Sequence, residues 1–188
     1  MQSLRPVRRV AELGSLAVMR VLKVTLLITL AAVVGCCGLV RFNRPFGFRT
    51  CFLPCTVSAL RLYAHDNSGR YPDSPDPFAA LQKLYPEPIH DPKLLAGISG
   101  DREATARLLM MGGRLTSNES SWVYIPGLSA SNEATTILIY ERRRGLAFNG
   151  ARASGRAVGF VDGSHRQMPE HEFQQLLQTQ QNDRRSKR

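Results

Sequence analysis

VSALRLYAHDNSGRYP, residues 57–72, contains the end of an amphipathic helix, then polar residues that end the helix, and then a segment of extended chain. The apolar residues of its helical portion are Val57, Leu60, Leu62 and Ala64. Their spacing predicts a helix over 55–66 with one buried stripe. Asn67-Ser-Gly69 supplies a C-cap and a turn. Tyr71-Pro72 then favours extended chain, because the proline ring disfavours helical geometry in the residue before it.

The rest of the head changes from helical to strand patterning along the chain. Helical patterns lie at 76–85, where Asp76 is the N-cap and Pro77 the first helical residue, at 101–111 and at 170–181. Strand patterns bounded by turn residues lie at 122–125, 135–140, 157–161 and 164–168. Asp162-Gly163 between the last two predicts a two-residue hairpin, because both residues tolerate positive φ. The order predicts an α+β fold with helices packed on a small antiparallel sheet.

The net charge of +10 is concentrated towards the two ends of the chain. Residues 1–49 hold eight basic residues and one acidic residue, and residues 142–188 hold ten basic and four acidic residues. Residues 50–141 are net negative, with seven basic and ten acidic residues. The basic groups flank an apolar segment or lie in the tail, 181–188, which we expect to be disordered. No basic stripe with interleaved aromatic residues is present, so nucleic-acid binding is not predicted.

VTLLITLAAVVGCCGLV, residues 24–40, is a run of 17 uncharged residues. As a helix it is about 25 Å long, which is at the short end for crossing a bilayer. Lys23 and Arg41 at its ends can extend their charged groups to the interfaces. Five basic residues before it against three after it favour a cytoplasmic N-terminus. The predicted organisation is a cytoplasmic basic N-terminus over 1–23, a membrane helix over 24–40, a connector over 41–50 and a head over 51–180.

A signal peptide is the competing interpretation of the same region. Met19-Arg-Val-Leu-Lys-Val begins a compact positive region, and an apolar region follows to about Val34. Val33-Val34-Gly35-Cys36 resembles a bacterial lipobox, in which Cys36 carries lipid after cleavage. The apolar run continues past Cys36 to Val40, which favours the membrane helix. Both interpretations attach the head to a membrane outside the cytoplasm.

Cys51 and Cys55 are the other local pair of cysteines. Outside the cytoplasm, Cys51 and Cys55 could be oxidised to a disulfide. A spacing of four residues on a regular helix directs the Cβ atoms apart, although Pro54 could bend the backbone between them. The alternative is that both are small, half-buried residues of a helix. No CxxC pair with metal-ligand spacing is present.

No catalytic, cofactor-binding or metal-binding residue is predicted, and we do not expect an enzyme. The sequence has no GxSxG, HExxH, P-loop or dinucleotide fingerprint. His65-Asp66 are adjacent helix residues that point in different directions. Asp162, Ser164 and His165 belong to the predicted hairpin, which accounts for them without chemistry. The acids Glu133 and Glu141 in the 129–141 region are two scattered residues, which are too few to predict a calcium site.

Four segments together carry a family resemblance. They are LRLYAHDNSGRYPDS (60–74), LQKLYPEPIHDPKLL (81–95), SSWVYIPGLSASNEATTILIYE (120–141) and GRAVGFVDGSHRQMPEHEFQQLL (155–177). In this order they resemble the pseudopilin-like proteins of planctomycetes and related bacteria. Those proteins are relatives of type II secretion and type IV pilin subunits, with a C-terminal Asp-Gly hairpin. The resemblance covers roughly residues 50–178 and implies an N-terminal helix packed on a small antiparallel sheet.

The resemblance also implies a function and a location. It implies a non-enzymatic protein, anchored once in the bacterial inner membrane with its head in the periplasm. Its expected partners are the lipid bilayer and the proteins of a type II secretion or pilus-like assembly. The alternative is an extracytoplasmic lipoprotein or anchored binding module with no assembly role.

The chain departs from this family at two positions. Gly14-Ser-Leu-Ala-Val-Met-Arg lacks the acidic residue at the fifth position that follows a prepilin cleavage site in the family. Arg152 stands ten residues before Asp162, where members often have a histidine. The first departure argues against standard prepilin processing and filament entry.

Overall fold

The computed structural model describes residues 6–46 and 51–186, with side chains described from Leu22 onward in these ranges. It divides after Asn43 into a helical unit and a head that begins at Arg44. The helices are α1 (Pro6–Asn43), α2 (Phe52–Asp66), α3 (Pro77–Gln82), a 3₁₀ helix (Pro92–Ala96), α4 (Arg102–Met110) and α5 (Glu170–Ser186). The strands are β1 (Trp122–Tyr124), β2 (Ile137–Glu141), β3 (Arg156–Phe160) and β4 (His165–Met168). The predicted α+β class is confirmed.

The first helix, α1, extends beyond the predicted apolar segment at both ends. At its C-terminal end it continues to Asn43 and stops two residues before Pro45. The proline ring disfavours helical geometry at Arg44, which explains where the helix ends. The first three residues of the predicted connector over 41–50 are therefore helical, and its last four, 47–50, lie outside the described residues.

The helix α2 begins three residues earlier than predicted and ends at the predicted stop. Phe52 is buried and extends the apolar stripe towards the N-terminus. At the other end Asn67 is the C-cap and Ser68 takes a left-handed conformation with φ 57°. The N–H of Gly69 donates to the carbonyl oxygen of Ala64 at 2.7 Å, as in a Schellman motif. Ser68 thus takes the position that glycine usually fills.

The four strands form one antiparallel sheet in sequence order, β1-β2-β3-β4. The hairpin between β3 and β4 is present, but its loop has three residues, Val161 to Gly163, instead of two. The N–H of Gly163 donates to Phe160 O at 3.0 Å, and the N–H of Phe160 donates to Ser164 O at 2.9 Å. With Gly163 at φ 88°, this is the turn-plus-bulge pattern of three-residue loops. Gly163 is therefore the bulge residue, where the positive φ favours glycine, and is not part of a two-residue turn.

Strand β3 is the centre of the head, because both of its faces are covered. Ala157 belongs to the main core that also holds the buried face of α2, whereas Val158 and Phe160 belong to a second core with Phe173 of α5. A Cβ atom on Gly159 would overlap the side chain of Val57. The helix α2 reaches the sheet closely because residue 159 has no side chain.

The last turns of α5 differ from the predicted disordered tail. The helix continues to Ser186, so 181–186 are helical, and 187–188 lie outside the described residues. The side-chain amide of Gln180 accepts from Ile137 N and donates to Ile137 O, both at 2.9 Å. Arg184 donates to the carbonyl oxygen of Pro126 at 2.8 Å. These contacts tie the end of α5 to β2 and to the loop before it. The basic composition of 181–188 predicts disorder because it does not show these contacts.

Candidate functional site

The N-terminal helix exposes an apolar surface along its described side chains. Its segment Leu22–Asn43 has 22 residues, and none of its most apolar window is buried. At 1.5 Å per residue it is about 33 Å long, against a hydrocarbon core of about 30 Å. Among the described residues it is the one helix long and apolar enough to cross a membrane. A signal sequence has the same properties.

Cys36 and Cys37 lie on this apolar surface. Both side chains are exposed and neither is joined in a disulfide. The helix runs through Cys36 without interruption and continues for seven more residues to Asn43. The lipidation predicted as the alternative at Cys36 requires cleavage of the chain inside this helix.

Cys51 and Cys55 are brought together at the first turn of α2. Cys51 is the N-cap residue, although its side chain makes no cap hydrogen bond, and Cys55 lies within the helix. Their Cα atoms are 5.4 Å apart and the two sulfur atoms are placed as a disulfide. The Cα separation lies within the usual range for such a bond. The pair would close the turn that follows the connector, and its oxidation stays a prediction.

Two groups of side chains that superficially resemble catalytic parts are either largely exposed or hydrogen-bonded within the hairpin. His65 Nδ1 and Asp66 Oδ1 are 3.1 Å apart, but both side chains are largely exposed. In the hairpin, Ser164 donates to Asp162 Oδ1 through its hydroxyl at 2.6 Å and its N–H at 2.8 Å. These bonds hold the pKa of Asp162 below its usual value. The ring of His165 contacts Phe148 edge-on rather than Ser164. The carboxylate therefore serves the turn.

The most elaborate polar cluster surrounds Glu141, which is fully buried at the end of β2. Its carboxylate accepts hydrogen bonds from Ile98 N at 2.8 Å, Ser99 Oγ at 2.6 Å, Ser121 Oγ at 2.8 Å and Arg143 N at 3.3 Å. A buried carboxylate needs such donors to offset its lost hydration. By sequence Glu141 is one of two scattered acids in the 129–141 region, and in the structure it ties the 3₁₀-helix region to the sheet.

Arg156 is a second internal anchor, and no sequence pattern identifies it. Its guanidinium donates to Glu170 Oε1 at 2.9 Å and to the backbone oxygens of Glu141 and Arg142 at 3.1 and 2.7 Å. It also lies over the ring of Phe173, 4.6 Å from the centroid. The pairing fixes the first turn of α5 on the sheet.

A groove of about 480 Å³ lies between the β1–β2 connection and α5. Among its lining residues are Leu128, Glu133, Leu176 and Asp183.

Glu133 accepts a hydrogen bond from the hydroxyl of Thr135 at 2.9 Å and lies in the loop before β2, whereas Glu141 is the last residue of that strand. The two acids therefore do not converge. Among the residues that the structure describes, no three His, Cys, Asp or Glu side chains form a cluster suited to a metal ion.

The connection between β2 and β3 carries a basic surface that we call the basic loop, residues 142–155. Arg142, Arg143, Arg144 and Arg152 in it are exposed. The loop is ordered by backbone hydrogen bonds, such as Gly145 N to Gly155 O at 2.8 Å and Ala147 N to Ala151 O at 2.9 Å. The buried side chain of Leu146 packs in the main core and so attaches the basic loop to the head.

Comparisons with protein-family models, with curated proteins and with solved structures found no match to this chain. The pseudopilin resemblance therefore rests on the four sequence segments and stays a prediction.

Proposed function

We propose that this chain is a membrane-anchored, non-enzymatic, pseudopilin-like protein that acts through packing and protein–protein contact. The observation that carries the proposal is the exposed apolar surface of Leu22–Asn43, of membrane-spanning length, followed along the chain by a head in which α2 packs on an antiparallel sheet. An apolar helix with no polar face is stable in lipid and unfavourable in water.

The head supports a role in contact rather than in chemistry. The buried side chains of Glu141 and Arg156 form their hydrogen bonds with groups of the fold itself. Asp162 and Ser164 are hydrogen-bonded to each other in a turn. These side chains stabilise the sheet and the helices α2 and α5 that pack on its two faces. In this proposal the anchor spans the bacterial inner membrane, the head faces the periplasm, and the partners belong to a type II secretion or pilus-like assembly.

The anchored lipoprotein is the second candidate function, and the exposure of Cys36 on α1 favours it. In that case the chain is cleaved before Cys36, the cysteine carries lipid, and the head is a binding module without an assembly role. The two candidates differ in the covalent structure of the N-terminus, which is the discriminating observation.

The proposed role is tested by crosslinking the full chain in intact bacterial cells and identifying the proteins that co-purify with it. We expect components of a secretion or pilus-like assembly to be enriched, and an epitope at the C-terminus to be digested by protease added to spheroplasts. A control variant, Phe173→Asp, places a charge in the core under α5 and should lose the crosslinks with the fold. An epitope protected in intact spheroplasts and digested only after lysis would contradict a periplasmic head. Recovery of the wild-type chain with no assembly component would contradict the assembly role.

A further inference from the structure

The segment that leaves the anchor helix makes contact with the basic loop. Arg44, the first residue after α1, donates to the carbonyl oxygen of Asn149 at 3.3 Å. Two residues later, the half-buried ring of Phe46 lies under the guanidinium of Arg143, 5.0 Å from its centroid. Phe46 also packs against the main core of the head. The basic loop is therefore attached to the chain immediately after the apolar helix.

Chain length limits how far this contact can be from the end of the helix. Three residues separate Asn43 from Phe46, and each spans at most about 3.6 Å. The backbone of Phe46 thus lies within about 11 Å of chain from the end of the apolar segment. Exposed charges attract one another over about a Debye length, roughly 8–10 Å, at ordinary salt concentrations. The length of chain between the end of the apolar segment and Phe46 is therefore comparable to the range over which exposed charges attract one another.

The basic loop itself has a net charge of +4, from Arg142, Arg143, Arg144 and Arg152. No acidic residue occurs from Arg142 to Val161. Two acids beside the loop are used inside the fold: Glu141 is buried among its donors, and Glu170 pairs with Arg156 at 2.9 Å and approaches Arg144 at 4.0 Å. Arg142 and Arg143 are exposed and form no ion pair with a carboxylate of the described residues; Arg142 donates to the carbonyl oxygen of Ser117 at 2.9 Å. The surface consequently attracts anions.

We propose that the basic loop binds the anionic phospholipid headgroups of the leaflet that the head faces, which orients the head on the membrane. This inference rests on the proposed membrane anchor. Guanidinium groups bind phosphate through paired N–H donors, and basic groups beside an anchored segment bind anionic lipid surfaces. The membrane is favoured over a free anion as the ligand because the loop is tied to Arg44 and Phe46, next to the bilayer.

The test is hydrogen exchange of the full chain reconstituted in nanodiscs of two compositions. One contains phosphatidylcholine alone, and the other contains equal parts of phosphatidylcholine and phosphatidylglycerol. We expect the amides of 142–155 to exchange more slowly in the anionic discs, by about fivefold, and the difference to shrink in added salt. R142Q/R143Q should remove most of the difference. R107Q/R185Q, which removes the same charge from other exposed positions, should retain it.

The outcomes separate the inference from the anchor on which it rests. If the chain does not stay with either disc, the anchor is wrong and the inference falls with it. If the chain stays in both discs and the loop exchanges equally fast, the anchor stands and the headgroup contact is overturned. An equal loss in both double variants would show a general charge effect and would also overturn it. Emission from the buried Trp122 reports whether each variant is folded.

Discussion

The hydroxyl of Tyr71 donates a hydrogen bond to the carbonyl oxygen of Val161 at 2.5 Å, joining residues that are 90 positions apart. The donor lies in the extended exit from α2, and the acceptor begins the loop of the β3–β4 hairpin. Burial raises the pKa of Tyr71, which keeps the phenol protonated and able to donate. Close by, the hydroxyl of Tyr124 donates to Pro72 O at 2.6 Å. Two tyrosines thus fix the exit of α2 against the sheet.

Tyr71→Phe should destabilise the head by about 1–3 kcal/mol, because the Val161 carbonyl loses this donor in a buried site. The measurement is urea unfolding of the full chain in detergent micelles. Emission from Trp122, the one tryptophan of the chain, reports the transition because this residue is fully buried. Tyr85→Phe is the matched control at a half-buried ring and should change the free energy of unfolding by less than about 0.5 kcal/mol. Equal effects of the two substitutions would contradict the role of the hydrogen bond.

Gly159→Ala should destabilise the head because the new methyl group would overlap the side chain of Val57. Overpacking of this kind costs about 1–3 kcal/mol, measured as the change in the free energy of unfolding. Val57→Ala in the same chain should recover part of the loss, so the two substitutions should couple favourably in a double-mutant cycle. Additive effects would show that α2 does not press on β3 at this position.

Glu170 makes stability depend on pH in the acid range. Burial raises its pKa, but the hydrogen bonds from Arg156 and Gln174 outweigh burial, so the pKa in the folded protein is lowered. A lowered pKa stabilises the fold above the unfolded value of about 4.3, and this stabilisation is lost as pH falls through the folded value. The difference in unfolding free energy between wild type and Glu170→Gln should therefore shrink as pH is lowered from neutral. A difference that does not change with pH would contradict the ion pair with Arg156.

Labelling of the full chain with a maleimide under denaturing conditions tests the cysteine pair. Two thiols should react without reductant, Cys36 and Cys37, and four after reduction, if Cys51 and Cys55 are joined as the structure places them. Cys51→Ser should add one reactive thiol in the absence of reductant. Four reactive thiols in the unreduced wild type would show that the pair is two ordinary helix residues.

The sequence predicts the order of the α-helices and strands of the head, because each of them has a local signal. Asp76 before Pro77 predicts the cap of α3, and its carboxylate accepts from Phe78 N and Ala79 N as expected. The same pair of residue types, Asp91 before Pro92, caps the 3₁₀ helix. The sequence does not predict that element, because its apolar run is too short to show a helical period.

Tertiary contacts explain what the sequence does not reveal. Gln180 pairs with the backbone of Ile137, so polar residues extend α5 where composition suggests disorder. Glu141 is an available acid by sequence and is instead enclosed by donors from residues 98, 99 and 121. Partners so distant in sequence leave no local pattern, and the same holds for Arg156 and Glu170.

The central claim, that Leu22–Asn43 anchors the head to a membrane as an uncleaved helix, is tested most directly by intact mass spectrometry of the mature chain from bacterial membranes. We predict a chain that starts at Met1 or Met19, retains the whole of Leu22–Asn43, and remains in the membrane fraction after carbonate extraction. A chain that begins at a lipid-modified Cys36, or a cleaved head recovered from the soluble fraction, would contradict it.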